Sequence, residues 1–362
     1  MQIDFANLQH QYQLYKPEID EAIHKVLDKS NYIMGEEVKE LEQNLQSFTG
    51  VKHAITCSSG TDALLLAMMA LEIKPGDEVI TTPFTFIATA ETIAFLGAIP
   101  VFVDIDEQTY NIDTTKIEAA ITPKTKAIIP VSLYGQPADM DAIEAIAKRH
   151  DLNVIVDGAQ SFGSTFNGKS DSSLGNISTT SFFPAKPLGC FGDGGAVFTN
   201  DDVLAEKIKS LRIHGQSKRY HHKYIGMGGR MDTLQCAVVN VKLKYFEKDI
   251  KLRQEVAKKY IEALQDKNIV LQTIDQRTTS SWAQFSVRVE NRDNLQTRLK
   301  DKGIPTAVHY PMPLHLQEAF SYLTYKTGDF PIAEQVSKEI ISLPMNPYLE
   351  DTEIMFISEV LT

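Results

Sequence analysis

The chain of 362 residues carries 36 Lys and Arg against 47 Asp and Glu, a formal net charge of −11, with 43 % apolar and 23 % charged residues. This length and balance predict a globular protein of roughly two domains and exclude a disordered chain. They also argue against nucleic acid and anionic membranes as partners, because holding phosphate groups in number takes a surplus of Lys and Arg.

Helical period comes first at residues 36–48, with Val38, Leu41, Leu45 and Phe48 on one stripe. Short β-rich runs then alternate with helical ones: strand His53–Cys57, helix 61–71, strand 78–82, helix 89–96, strands 100–104 and 127–132, helix Met140–His150 and strand Asn153–Asp157. Runs at 178–183 and 196–199 extend the series. Nearly continuous apolar strands between helices predict an α/β fold, a mostly parallel sheet covered on both faces. Ligands of such sheets collect at the carboxyl ends of the strands. From Leu234 to about Leu264 the pattern predicts one long helix, followed by an α+β segment in which Trp282, Phe285, Val287 and Val289 alternate. The expected division is a large domain over 1–245 and a smaller carboxyl-terminal α+β domain over 246–362, with the amino-terminal segment free to pack on the smaller one.

Cys57, Cys190 and Cys236 are odd in number, far apart and in no CxxC pair, which predicts reduced thiols rather than a disulfide framework or a zinc site. The polar start MQIDFANLQHQYQ is unlike a secretory signal, and the longest apolar run, 63–71, falls far short of the ~20 residues of a membrane span. A soluble cytoplasmic protein that binds no metal is expected.

Three segments carry chemistry. In Ser58-Ser59-Gly60-Thr61-Asp62 a Gly lies between a buried strand and a helix start, where free N–H groups favour an anion such as phosphate; an ordinary helix cap is the plainer reading. Asp157 ends the fifth strand, with Gln160 three residues on, in a place where loop aspartates are also common. Lys186 lies between Pro184 and Pro187, ahead of glycines 189, 192, 194 and 195, in a stiff apolar loop whose burial would free its amine for Schiff-base chemistry. Together they provide what pyridoxal phosphate needs: a phosphate cradle, a carboxylate opposite the pyridine nitrogen and a lysine.

With these segments in order, the chain resembles the DegT/StrS-type nucleotide-sugar aminotransferases of the fold type I pyridoxal-phosphate class. The resemblance runs over essentially the whole chain, through NYIMGEEVKELE, SSGTDALLLAMMAL, VDGAQSFG, TSFFPAKPLGCFGDGGA, GGRMDTLQCAVV and PTAVHYPMPLH. It implies that Lys186 joins the cofactor and then moves the proton, Asp157 pairs with the pyridine nitrogen, Gln160 meets the ring oxygen and Phe86 stacks on the ring. Gly60, Thr61 and Ser181 would hold the phosphate. Many members carry Asn two residues before the Arg of R-[ML]-D-T-L-Q, reaching a neighbouring subunit's cofactor; here Gly228 stands there, so that contact is lost.

No acidic residue occurs between Glu206 and Asp232, while Lys207, Lys209, Arg212, Lys218, Arg219, Lys223 and Arg230 do. The RYHH part of this basic run reads as a loop for an anionic ligand or for a neighbour's site. Within the family the chain is similar to enzymes that make a 3-amino sugar from UDP-2-acetamido-2-deoxy-3-oxo-glucuronate with L-glutamate as donor. That likeness implies a homodimer with active sites at the subunit interface, His309 and Tyr310 at the sugar, and Tyr32 and Arg230 nearby. A 4-aminotransferase acting on a UDP- or dTDP-4-keto-6-deoxy sugar is the alternative, and a cofactor-binding regulator a remoter one.

Overall fold

The computed structural model describes residues 3–361. Helices α1 (Leu8–Lys29) and α2 (Glu36–Thr49) lead, the second stopped by Gly50 at a φ of 74°. Strand and helix then alternate through β1 (His53–Cys57), α3 (Gly60–Ala70), β2 (Glu78–Thr81), α4 (Ala88–Phe95), β3 (Ile99–Phe102), β4 (Thr125–Ile128), α5 (Met140–His150) and β5 (Asn153–Asp157). A hairpin of β6 (Thr165–Phe166) and β7 (Lys169–Ser170) precedes β8 (Ile177–Ser181), β9 (Gly195–Thr199) and α6 (Asp202–Leu211). A second hairpin, β10 (Gln216–Lys218) and β11 (His221–His222), leads to α7 (Thr233–Leu243) and α8 (Phe246–Leu264). The chain closes with β12 (Val270–Leu271), β13 (Thr278–Thr279), β14 (Phe285–Arg288), α9 (Arg292–Asp301), α10 (Pro331–Glu339), β15 (Ile340–Leu343) and α11 (Asp351–Val360). Helices α3, α5 and α6 start where Ser59, Asp139 and Asp201 accept hydrogen bonds from N–H groups of their first turn.

Seven strands form one sheet in the order β1-β9-β8-β5-β4-β2-β3. The pairs from β8 through β3 are parallel, and β9 alone is reversed, antiparallel to both β1 and β8. Ile155 and Val156 of β5 face opposite ways into two cores, one under α3 and α6 and one under α5, as the period of two requires. The expected α/β class therefore holds. A second, antiparallel sheet of β12, β14 and β15 packs Phe285, Val287 and Leu343 against Tyr260 of α8, Leu299 of α9 and Ile357 of α11. No helix of the described residues is long and apolar enough to cross a membrane.

Three elements differ from expectation. Helix α1 carries no clear sequence signal, because Pro17 sits in its interior and only Tyr15, Ile19 and Val26 are buried. It forms by packing on α7, where Ile19 meets Val238 and Val241. The single helix expected over 234–264 is two, α7 and α8, parted at Lys244 and Tyr245. There the Tyr245 ring turns away to stack on Tyr15 at 4.2 Å. Strand β4 is also shorter than the apolar run that encodes it: Pro130 offers no N–H and its carbonyl accepts from Asp157 N instead.

Candidate active site

The reversal of β9 places the site. Cys57 at the end of β1 and Ser181 at the end of β8 both pair with Gly195, the first residue of β9, while Asp157 of β5 pairs with Thr179 of β8. The carboxyl ends of three strands and the loop that joins β8 to β9 thus meet along one edge. That loop carries Lys186 and is pinned by Lys186 N to Phe183 O at 2.9 Å, Cys190 N to Phe182 O at 2.8 Å and Phe182 N to Gly194 O at 2.7 Å.

Asp157 is buried and accepts from Thr89 Oγ1 at 2.7 Å and from Ala159 N at 3.2 Å. Burial raises its pKa against those bonds and against the charge of Lys186. The Lys186 amine hydrogen-bonds nothing among the described residues. Burial lowers its pKa to about 8, with Asp157 opposing. Behind Asp157 lies Asp171, also buried, which accepts from Ser132 Oγ at 3.1 Å and from Ser161 Oγ.

At the start of α3 the N–H groups of Gly60 and Thr61 have no partner among the described residues, since Ser59 serves Asp62 N at 3.0 Å and Ala63 N at 3.0 Å. A Cβ at Gly60 would stand 2.7 Å from Ser181 Cβ, so only glycine lets this turn lie against β8. Ser181 Oγ accepts from Phe183 N at 3.2 Å and keeps its own proton to donate. Two N–H groups, the Thr61 hydroxyl and the Ser181 hydroxyl form a donor set at a helix start, which suits a phosphate. With the unpaired amine and the buried carboxylate, the residues present fit pyridoxal phosphate.

Opposite stand His309 and Tyr310. Gln160 Nε2 donates to Tyr310 Oη at 3.1 Å, and Gln160 Oε1 accepts from Tyr134 N at 2.6 Å. The Tyr310 phenol is pushed up by burial and then by the Asp157 charge, while burial and the Lys186 charge lower the pKa of His309 to about 4. The Phe86 ring lies 6.1 Å from Tyr310 and is 54 % exposed, leaving a face open for stacking. The structure thus brings Asp157, Lys186, Gln160, Phe86, His309 and Tyr310 together, with Gly60, Thr61 and Ser181 alongside.

Tyr32 and Arg230 lie elsewhere on the rim. Tyr32 is exposed and its carbonyl accepts from Thr233 N at 3.0 Å; Arg230 has no ionic or hydrogen-bonding partner among the described residues and follows Gly229, whose carbonyl accepts from Ser58 N at 3.1 Å. The segment carrying Arg230 thus reaches the Ser58–Gly60 turn, and no hydrogen bond, ion pair or ring contact ties Tyr32 or Arg230 to His309 or Tyr310 among the described residues. A Cβ at Gly228 would meet the His214 ring at 3.1 Å. Of the basic run, Lys207 pairs with Glu72 at 2.6 Å, Lys209 with Glu206 at 2.8 Å, and buried Arg212 with Glu42 at 2.6 Å. Arg212 is thereby taken up inside the fold, whereas Lys207 and Lys209 are matched by acids at the surface. Thr89, Tyr134 and Asp171 have no signal in the sequence that separates them from core residues. Among the described residues no group of His, Cys, Asp or Glu is arranged to hold a metal.

The family profile described as the DegT/DnrJ/EryC1/StrS aminotransferase family matches residues 13–362. The chain is 51 % identical, over 99 % of both chains, to a protein of Pseudomonas aeruginosa named UDP-2-acetamido-2-deoxy-3-oxo-D-glucuronate aminotransferase. It is 47 % identical, over 99 % of its own length and 97 % of the other, to a protein of Geobacillus stearothermophilus named pleiotropic regulatory protein. The crystal structure of NtdA from Bacillus subtilis with bound cofactor PMP superposes with a TM-score of 0.91 at 31 % identity, covering 99 % of this chain and 85 % of that one.

Proposed function

The chain belongs to the DegT/DnrJ/EryC1/StrS aminotransferase family of pyridoxal-phosphate-dependent sugar aminotransferases, and from that premise we propose that it transfers an amino group from L-glutamate to the C3 ketone of UDP-2-acetamido-2-deoxy-3-oxo-glucuronate. The observation that carries the chemistry is the free amine of Lys186, held within the field of buried Asp157 and beside the donor cradle of Gly60, Thr61 and Ser181. The substrate follows the Pseudomonas relative. In this reading the 3-amino sugar goes to surface polysaccharide such as O-antigen, and the enzyme works in the cytoplasm.

Bound pyridoxal phosphate supplies the electron sink that acidifies the substrate carbon. The protein's part is placement and proton transfer. Asp157, fixed by Thr89, would hold the ring nitrogen in its protonated form. Lys186, with a pKa of about 8, would serve as the proton carrier beside the cofactor. Gly60, Thr61 and Ser181 would hold the phosphate, Phe86 would lie against the ring, Gln160, which donates to Tyr310, would meet the ring oxygen, and His309 and Tyr310 would face the sugar. Tyr32 and Arg230 reach the ligand from the rim, Arg230 with a forked donor suited to a carboxylate.

The protein is a homodimer in this reading, with the site at the interface. The supporting feature is the exposure of Tyr32, Ile33, Met34, Phe183, Phe191 and Ile225, on the loops around the site. The domain division falls after residue 245, supported by the separate core of β12, β14 and β15, which the amino-terminal segment joins through Phe5 O to Met345 N at 3.1 Å.

Purified enzyme given L-glutamate and either the 3-keto uronate or a UDP- or dTDP-4-keto-6-deoxy sugar is expected to aminate the first, read by mass spectrometry of the product. Preference for the 4-keto sugar overturns the substrate. Lys186→Ala is expected to lose borohydride-fixed cofactor and at least ~10³-fold in turnover; retained turnover overturns the mechanism. A wild-type protein whose cofactor spectrum does not change on adding glutamate leaves instead the regulatory role that the Geobacillus relative's name suggests.

A further inference from the structure

One helix grips the loop that carries Lys186. Gln235 and Lys242 of α7 are seven residues apart, two helical turns, and so lie on one face. Gln235 Oε1 accepts from Phe191 N at 2.8 Å, and its Nε2 donates to Phe191 O at 3.3 Å. Lys242 Nζ donates to Gly189 O at 2.7 Å and stands 4.6 Å from the centre of the Phe191 ring. The stretch 189–191 is thus held at both ends by two side chains. A Cβ at Gly189 would press on the carbonyls of Phe183 and Pro184, and Cys190 N donates to Phe182 O. The point gripped is therefore where the two arms of the loop touch, with Lys186 between them.

A lysine is an expensive residue for this place. Lys242 is 3 % exposed and forms no ion pair among the described residues. Asp249, the carboxylate whose charge acts on it, is bound to Gln11, Tyr15 and Tyr348 instead. A buried cation without an acid costs stability, and an apolar side chain would serve packing alone better. What offsets the cost is at the loop: the Gly189 carbonyl and the face of the Phe191 ring, helped by the carboxyl end of α7, which favours a cation. Burial lowers the pKa of Lys242 to about 8, and amine and ammonium alike donate to a carbonyl.

We infer that Lys242 and Gln235 are positioning residues for Lys186: by fixing residues 189–191 they set where its amine stands relative to Asp157. Lys186 is joined to that anchor through Pro187, whose ring fixes one backbone angle, so a shift at Gly189 is carried back to Lys186 rather than absorbed. The amine has no hydrogen-bond partner of its own among the described residues to correct its place. A misplacement of about 1 Å in a reacting group costs about 10²-fold in rate, so a clamp on this loop has leverage on the chemistry. The inference rests on the reading of Lys186 as the lysine that joins the cofactor.

The test compares the cofactor-loaded wild-type enzyme with Lys242→Met, which keeps a stem under Phe191 and loses the donor, and with Gln235→Ala. The latter lies beside Phe191, itself 42 % exposed, where water can replace the lost bonds. Hydrogen-exchange mass spectrometry is expected to show faster exchange in a peptide over 182–192 in both variants, with the other strands of the sheet unchanged. The pH midpoint of the cofactor's visible absorbance is expected to move by about 0.5 unit. Turnover should fall about 10-fold in kcat with both KM values held. Gln235→Ala removes no charge, so its shift reports a moved amine rather than a lost field, and it decides the matter if Lys242→Met fails to fold. Wild-type exchange, midpoint and kcat in Gln235→Ala overturn the inference, as does exchange that rises throughout the chain. A wild-type enzyme that fixes no cofactor on Lys186 with borohydride overturns the underlying reading as well, so the two failures are told apart.

Discussion

Two buried carboxylates lie one behind the other at the end of β5, and only Asp157 has a place in the chemistry. Asp171 ties Ser132, which follows β4, to Ser161, which follows β5, and so braces the turn that carries Asp157 and Gln160. Burial raises its pKa to about 6, and the Asp157 charge adds to the rise. Its folded value thus exceeds the ordinary 3.8, so the fold favours the protonated form. The stability this gives is complete below pH 3.8 and is lost as pH rises through 6. Asp171→Asn cannot ionise and is free of that loss. The wild-type protein is therefore expected to fall by about 2–2.5 kcal/mol relative to the variant between pH 4 and pH 7, read from urea midpoints of both at several pH values; a difference that stays flat with pH refutes the assignment. At this scale the sequence carries only part of the site. Asp157 and Lys186 are legible because a strand end and a proline-framed, glycine-rich loop mark them. Thr89, Tyr134, Asp171 and Lys242 act through contacts between distant segments, and no spacing rule reveals those.

The elements hold together through one buried ion pair beside the phosphate turn. Glu42 of α2 accepts from Thr56 N and Thr56 Oγ1, both at 3.0 Å, and from Arg212 Nη1 at 2.6 Å. Arg212, at the end of α6, also donates to Thr56 O at 2.7 Å. Two helices are thus knotted to β1 two residues before Ser58. Removing Glu42 leaves Arg212, itself 4 % exposed, as an unpaired buried charge, so Glu42→Leu is expected to cost about 3–5 kcal/mol. Adding Arg212→Leu should recover most of that loss, because two apolar side chains leave no charge behind. Urea denaturation of both singles and the double closes the cycle, and a double variant as weak as the sum of the singles refutes the pair. The same pair shows why the basic run misleads when read alone: the acid that neutralises Arg212 is 170 residues upstream. The strands and helices of the sheet are legible because their burial is written in periods of two and 3.6. Helix α1 is not, since its few buried positions acquire meaning only against α7. The break between α7 and α8 follows from a tertiary stack of Tyr245 on Tyr15.

At the scale of the whole molecule, the charge of −11 is unevenly distributed. Once Lys207, Lys209 and Arg212 are matched to their acids, the cations left over in the basic run are few and close together. Lys218, Arg219 and Lys223 stand exposed on the β10–β11 hairpin, with no acidic partner among the described residues; Arg219 lies over the Tyr220 ring at 5.2 Å and Lys223 over Tyr224 at 5.0 Å. A local cationic field on an acidic protein draws anions to that place and repels them elsewhere. A nucleotide sugar carries at least two negative charges, and a uronate adds one, so this field acts more strongly on it than on glutamate. Reversing both charges by Lys218→Glu with Arg219→Glu is therefore expected to raise KM for the nucleotide sugar about 3- to 10-fold at low salt, while KM for glutamate changes less. Salt should act in parallel, raising the wild-type KM and leaving that of the variant nearly level, because screening removes a field the variant no longer has. Neither Lys218 nor Arg219 has a part in the proton transfer, so kcat is expected to hold. Equal KM values and equal salt slopes for the two proteins would show that the hairpin charges do not serve the substrate, and would move the search for its anionic recognition to Arg230 alone.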